Sequence, residues 1–185
     1  SPGAAPIVPD MPGNDLPHVF TVRNVVDIER LQKAIVEKDA KSIAVIGGGY
    51  IGVEVAENLR LAGRNVTLVQ SAPQILRSFD FDMAQILQKE MLDHGVELIV
   101  GDGIAAVTET TIQLRSGREL QADIVVLAIG VKPETKLAEE AGLEIGITGG
   151  IKVNQHYLTN DPHIYAVGDA IEVYHRILRK PVRLA

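Results

Sequence analysis

Gly47, Gly49 and Gly52 stand in the run Ser42-Ile-Ala-Val-Ile-Gly-Gly-Gly-Tyr-Ile-Gly-Val-Glu54, with the spacing G-x-G-x-x-G. Alone, that spacing is a weak sign. Here it follows an apolar strand, Ile43 to Ile46, and opens a helix, Tyr50 to Leu61. A second strand, Val66 to Val69, ends at Gln70, about 20 residues beyond the motif. The chemistry this pattern permits is the cradling of a dinucleotide's pyrophosphate. Gly47 lets the chain leave the strand in a tight turn. Gly49, lacking a side chain, lets a phosphate reach the backbone, and Gly52 lets the helix pack closely on the strands. The helix N-terminus contributes unpaired N–H groups and a partial positive charge. Gly48 and Ile51 complete the turn and join the candidate contacts.

The elements that must position this turn alternate between strand and helix. Residues 1–17 hold five of the nine prolines and read as an irregular lead-in. Asp27 reads as the N-cap of an amphipathic helix carrying Ile28, Leu31, Ile35 and Val36, and Lys38 to Lys41 as a charged turn. Gly63 sits where the C-cap of the glycine-turn helix belongs. Beyond Gln70, a loop from Ser71 to Phe81 leads into a helix over 82–94. That helix places Met83, Ile86, Leu87, Met91 and Leu92 on one side, and Gly95 stops it. Val96 to Val100 reads as a strand. Ile104 to Val107 and Thr111 to Leu114, with a Ser116-Gly117 turn, read as a small β-meander. The continuous apolar run from Asp123 to Ile129 suits a strand covered on both faces. A short helix, Thr135 to Ala141, is capped by Gly142, and a last strand, Ile164 to Val167, runs into Gly168-Asp169. The expected fold class is α/β: a Rossmann-like parallel sheet with a β-meander crossover.

Composition bounds the partners. The chain has 185 residues, 46% of them hydrophobic, and a net charge of −6. The acidic balance and the lack of a basic run argue against a nucleic-acid groove. No apolar run approaches the roughly 18 residues of a membrane-spanning helix, so no membrane partner is expected. Ser1-Pro-Gly-Ala-Ala-Pro6 lacks the basic and apolar regions of a signal peptide. With no cysteine, the chain has no disulfide, no thiolate metal site and no thiol catalysis of its own, which fits a cytoplasmic setting. His18, His94, His156, His163 and His175 lack ligand spacing, so no metal is expected. Without an initiating Met, the chain reads as a piece of a longer protein.

At this point the residues resemble a family, the FAD-dependent pyridine nucleotide-disulfide oxidoreductases. Gly47-Gly-Gly-Tyr-Ile-Gly-Val-Glu54 resembles that family's NAD(P)H motif. Ala128-Ile-Gly-Val-Lys-Pro133 resembles its A-T-G-x-x-P segment, and Ile164-Tyr-Ala-Val-Gly-Asp169 its second FAD motif. Ser1-Pro-Gly-Ala4 resembles the end of the first FAD half. Within the family the chain is most similar to coenzyme A-disulfide reductases and to NADH oxidases or peroxidases. The resemblance implies an NAD(P)H-binding domain at 20–145, inserted between a stub of the first FAD half at 1–19 and the start of the second at 146–185. The implied cofactors are NADH or NADPH, with FAD in the intact protein. The implied partners are the missing FAD and dimerisation domains of a homodimer. The redox cysteine is absent, so no catalytic residue is assigned and this piece alone is expected to be inactive. The parent would be an enzyme reducing a disulfide, a peroxide or oxygen.

The resemblance also gives roles to single residues. Tyr50 would cover the flavin and swing aside for nicotinamide; the alternative is a tyrosine packed at a helix start. Glu54 would lie near the nicotinamide carboxamide; the alternative is an acidic residue favoured by the helix dipole. Gln70 replaces the Asp or Glu that usually binds the adenosine ribose in NAD sites. Its amide oxygen can accept a bond but carries no charge to repel a 2′-phosphate. Arg77 would bind such a phosphate, or is a solvated loop cation. Together Gln70 and Arg77 predict relaxed choice between NADH and NADPH. Gly130 would let backbone approach the cofactor or marks a strand-end turn, and Gly168 and Asp169 would face the flavin. A non-catalytic dinucleotide-sensing module is the competing reading. A short-chain dehydrogenase is set aside because Tyr50, Tyr157 and Tyr174 are followed four residues on by Glu54, Asp161 and Leu178 rather than Lys. A methyltransferase would need glycine where Ile51 stands.

Overall fold

The computed structural model describes residues 1–183. The strands and helices in chain order are β1 (Ala4–Pro6), β2 (Val19–Thr21), α1 (Val25–Glu37), β3 (Ser42–Ile46), α2 (Tyr50–Leu61) and β4 (Asn65–Gln70). Then come α3 (Phe81–Asp93), β5 (Glu97–Val100), β6 (Ile104–Val107), β7 (Thr111–Leu114), β8 (Glu119–Gln121) and β9 (Ile124–Leu127). The remainder are β10 (Val131–Pro133), α4 (Lys136–Glu140), β11 (Ile151–Lys152), β12 (Ile171–His175) and β13 (Lys180–Val182). The chain forms two compact units, one of Ile7–Ile129 and one of Ser1–Pro6 with the residues from Gly130 onward.

The first unit is a five-stranded sheet in the order β2-β9-β3-β4-β5, with every pairing parallel. Side chains alternate along each strand, so the sheet has two differently covered faces. Ile43, Val45, Leu68, Ile124 and Val126 meet Leu31 and Ile35 of α1, Ala56 and Leu59 of α2 and Met91 of α3. Ala44, Ile46, Val69, Val125 and Leu127 meet Ile104, Ile112 and Leu114 of the antiparallel meander β6-β7-β8. Helices cover one face and the meander the other, which is why β9 is buried along its whole length. This confirms the expected parallel sheet with its meander crossover.

The lead-in belongs to this unit from Ile7 onward. Met11 and Leu16 pack on the meander side, and Val107 donates its N–H to the Pro12 carbonyl at 2.9 Å. The compact units part at 6/7 and 129/130.

The second unit has β1 antiparallel to β10 and a small sheet β11-β12-β13. Its core is Ala138, Ile151, Ala166, Ala170 and Ile171. Glu172 is buried on β12, where Oε2 accepts from the Thr148 N–H at 2.6 Å and its hydroxyl at 2.7 Å.

Three local expectations are corrected. The N-cap of α1 is Asn24, not Asp27; Asp27 is the third helical residue, and the two form a reciprocal capping box. The buried face of α3 is Ala84, Gln88 and Met91, while Met83, Ile86 and Leu92 are exposed. Ile164–Val167 is not a strand. Only Tyr165 bridges to Leu158, and the Thr159 hydroxyl donates to the Ile164 carbonyl at 2.9 Å, closing a tight turn instead.

Candidate functional site

The carboxyl ends of β3, β4 and β9 lie side by side, and chain order reverses between β3 and β9. Open α/β sheets bind ligands at such a place. The glycine turn emerges here from β3. Gly47 has φ +112, and a Cβ on it would come within 2.3 Å of the Ala128 carbonyl oxygen. Its N–H donates to the Val69 carbonyl at 2.8 Å, tying the turn to β4. Gly52 lies so close to the turn that a Cβ there would come within 1.8 Å of the Gly47 oxygen. Gly49 differs. A Cβ on it would meet nothing within 4 Å, so its glycine leaves open space rather than relieving a contact.

Gly49 is also the N-cap of α2 and offers no side chain to satisfy the helix. The first intrahelical bond runs from the Val53 N–H to the Gly49 carbonyl, which leaves the N–H groups of Tyr50, Ile51 and Gly52 ahead of it. The first turn of α2 holds no acidic residue. The contrast with α1, whose first turn is closed by Asn24 and Asp27, is direct. An uncapped helix start beside open space, free of local carboxylates, is suited to an anion.

The other nominated residues of this unit take distinct places. Gln70 ends β4 and folds back over the turn, its Oε1 accepting from the Gly48 N–H at 3.1 Å and its Nε2 donating to the Gln74 carbonyl at 3.3 Å. Its carboxamide is thus engaged with protein backbone, with one oxygen lone pair left over. Tyr50 opens α2 and is 60% exposed. Its hydroxyl is 3.0 Å from the Ser78 hydroxyl, and its ring meets Phe79 edge-on with centroids 6.3 Å apart. Ile51 and Glu54 line a groove of about 740 Å³ between α1 and α2, with Val22, Ile28 and Val55. Glu54 falls in the second turn of α2, outside the helix-start position favoured by the dipole. Arg77 is exposed on the loop after β4 and makes no side-chain hydrogen bond or ion pair among the described residues.

Gly130, Gly168 and Asp169 stand in the other compact unit. Gly130 has φ +125, a conformation suited to glycine. Gly168 opens a single 3₁₀ turn through Ala170, with φ +81, and Asp169 is exposed on it.

Residues that sequence reasoning missed lie on the loop after β4. Leu76 donates to the Gly48 carbonyl at 2.7 Å, and the fully buried Ile75 lies under Gly48. Gln88 holds Ile75 from α3. One signal for Gln88 was present in the sequence: it is a polar residue four positions after Ala84 and three before Met91, on what proves to be the apolar face.

With this geometry established, comparison with known proteins defines the class. The pyridine nucleotide-disulphide oxidoreductase family matches residues 1–181, and the chain belongs to that family. An NADH oxidase of Methanocaldococcus jannaschii is 39% identical over 175 residues, 92% of this chain and 39% of that protein. A coenzyme A disulfide reductase of Staphylococcus haemolyticus is 32% identical over 172 residues, 93% of this chain and 39% of that protein. The crystal structure of reduced Bacillus anthracis CoADR-RHD superposes with a TM-score of 0.94 at 47% identity, covering 98% of this chain and 33% of that one. The chain thus spans about two fifths of the length of these curated relatives. Among the described residues, no helix is long and apolar enough to cross a membrane.

Proposed function

We propose that the unit Ile7–Ile129 binds NADH or NADPH as part of a flavoprotein reductase. In the parent protein the nicotinamide would deliver hydride to FAD, for onward reduction of a coenzyme A-type disulfide, a peroxide or oxygen. The observation that carries this reading is the uncapped start of α2 beside the open space at Gly49. The residues present fit a pyrophosphate: the N–H groups of Tyr50, Ile51 and Gly52 precede the first intrahelical bond, and the first turn holds no carboxylate. Bound nicotinamide supplies the hydride. The protein's own part is to hold the diphosphate at Gly49, Tyr50, Ile51 and Gly52 and to present the nicotinamide edge near Tyr50 and Glu54. The relatives named as NADH oxidase and coenzyme A disulfide reductase support the enzyme class of the parent. The unit beginning again at Gly130 would contribute Gly130, Gly168 and Asp169 toward FAD. A cytoplasmic homodimer is the assembly in keeping with this reading.

Gln70 and the unpaired Arg77 support acceptance of both nucleotides. Gln70 puts no negative charge at the end of β4, and Arg77 is free to meet a 2′-phosphate. Calorimetric titration of the chain with NADH and with NADPH tests both parts. Comparable affinities are expected. A preference beyond a hundredfold, roughly 2.7 kcal/mol, would refute relaxed choice, and failure to bind either would refute the nucleotide-binding role of this unit.

A further inference from the structure

We propose that Gln88, on α3 and remote from the glycine motif, is a positioning residue for the nucleotide site; the inference rests on the dinucleotide reading above. Gln88 is buried, and its Oε1 accepts the Ile75 N–H at 3.1 Å. Its Nε2 donates to Gln85 Oε1, also at 3.1 Å. The second bond fixes the first. With its amino group held by the Gln85 carbonyl oxygen, the Gln88 amide presents its own oxygen to Ile75.

From Ile75 the loop reaches three parts of the site. The Ile75 side chain supports Gly48 from beneath, where a Cβ would lie 2.7 Å from Ile75 Cγ2. Leu76, in the left-handed region at φ 44, donates its N–H to the Gly48 carbonyl at 2.7 Å. Upstream, Gln74 accepts from Gln70; downstream, Ser78 and Phe79 hold Tyr50. One buried amide therefore anchors the segment that touches the turn, the strand-end glutamine and the exposed tyrosine.

A residue needed only to fill the space under α3 would be apolar, as its neighbours Ala84 and Met91 are. Burying an amide costs free energy unless its bonds are made. The arrangement also leaves the buried Gln85 Nε2 with no hydrogen-bond partner among the described residues. That unmet donor follows from using the Gln85 oxygen to orient Gln88. It is the kind of local sacrifice found where a polar network fixes a geometry.

The test compares the wild-type chain with Gln88→Met, which keeps length and helix propensity, and Gln88→Glu, which keeps an acceptor for Ile75. Amide hydrogen exchange is read by NMR, and NADH affinity by calorimetry. In Gln88→Met, exchange at Leu76 and Gly48 is expected to quicken roughly tenfold while Val45 and Val126 in the sheet keep their protection. NADH affinity is expected to fall by about tenfold; in Gln88→Glu the Gln85 amide must turn over so that its unmet Nε2 donates to the new carboxylate, and both readouts are then expected to recover in part. Unchanged exchange at Leu76 and Gly48 overturns the proposal. So does equal acceleration throughout the sheet, which would mark a merely structural residue, and so does selective loosening with unchanged affinity. If the wild-type chain binds neither nucleotide, the dinucleotide reading fails with it, while the exchange data still decide whether Gln88 holds the turn.

Discussion

Gly52→Ala is the sharpest probe of how α2 is seated. The added methyl would lie 1.8 Å from the Gly47 carbonyl oxygen and 2.9 Å from its carbon, while its 3.5 Å approach to Ala128 Cβ is ordinary contact. A carbon and a carbonyl oxygen rest about 3.3 Å apart at closest, so the turn or the helix must give way by about 1.5 Å. The turn resists. Gly47 is bonded to Val69 and lies against Ala128, so it cannot retreat in that direction. Overpacking of this kind costs typically about 1–3 kcal/mol and occasionally more. A clash of about 1.5 Å against a pinned backbone oxygen belongs at the upper end, about 3 kcal/mol; Ala gains about 1 kcal/mol over Gly in a helix interior, so a net loss of about 2 kcal/mol is expected. For a chain of this size that lowers Tm by about 4–8 °C. The chain has no Trp, so the transition should be followed by far-ultraviolet circular dichroism. Gly49→Ala is the control: its φ of −81 suits alanine and its Cβ direction is empty. It should lose less than about 1 kcal/mol yet weaken NADH binding, since the methyl occupies the space assigned to the diphosphate. Equal stability of the two variants, or greater loss in Gly49→Ala, would refute the packing argument.

Two further predictions concern pH. Asp123 Oδ2 accepts from the Lys41 N–H, the Ser42 N–H and the Ser42 hydroxyl, all within 2.9 Å, and the Ser42 N–H chiefly holds its carboxyl below the ordinary 3.8. Because the group is exposed, Asp123→Ala should cost only about 1 kcal/mol at neutral pH. A depressed carboxyl pKa contributes stability above the unfolded value and loses it as pH falls further, so the difference from wild type should shrink below pH 3.8 in urea unfolding. His18 is buried, its Nε2 is 3.0 Å from the Thr108 carbonyl, and burial lowers its pKa from 6.5. The unfolded chain then binds the extra proton first, so stability is complete above pH 6.5 and declines as pH falls below it. His18→Gln should flatten that decline in urea unfolding between about pH 6.5 and 5; an unchanged slope would place its origin elsewhere.

The unit Ile7–Ile129 was legible because its signals are local. A glycine with φ +112, a close helix and a strand buried on both faces each leave a mark within a few residues of Gly47, Gly52 and Val126. What was not legible depended on partners distant in sequence. Asn24 and Asp27 are both good capping residues, and only the pairing of their side chains settles which begins α1. Ile164 to Val167 has strand composition, but Thr159 takes the Ile164 carbonyl before a ladder can extend. The apolar stripe of α3 was misread because Met83, Ile86 and Leu92 advertise a face that the sheet does not cover. Gln70 was recognised as a departure at the strand end. Its bond to Gly48 was not, because nothing in sequence reports which backbone group an amide will meet.

The pairing order of the sheet has a consequence for the newborn chain. β3 and β4 can join as soon as α2 is made, but the other flank of β3 must wait for β9, which is synthesised only after α3 and the entire meander. Until then Ile43 to Ile46 present a bare, apolar row of unpaired N–H and carbonyl groups, an open template for any extended segment nearby. β2 waits longer still, since β9 is its only strand partner in the sheet. Emergence from the ribosome, rather than the finished molecule, is therefore the stage at which this protein is most exposed to aggregation. Variants that slow the arrival or docking of β9 should reduce soluble yield more than their equilibrium stability would suggest.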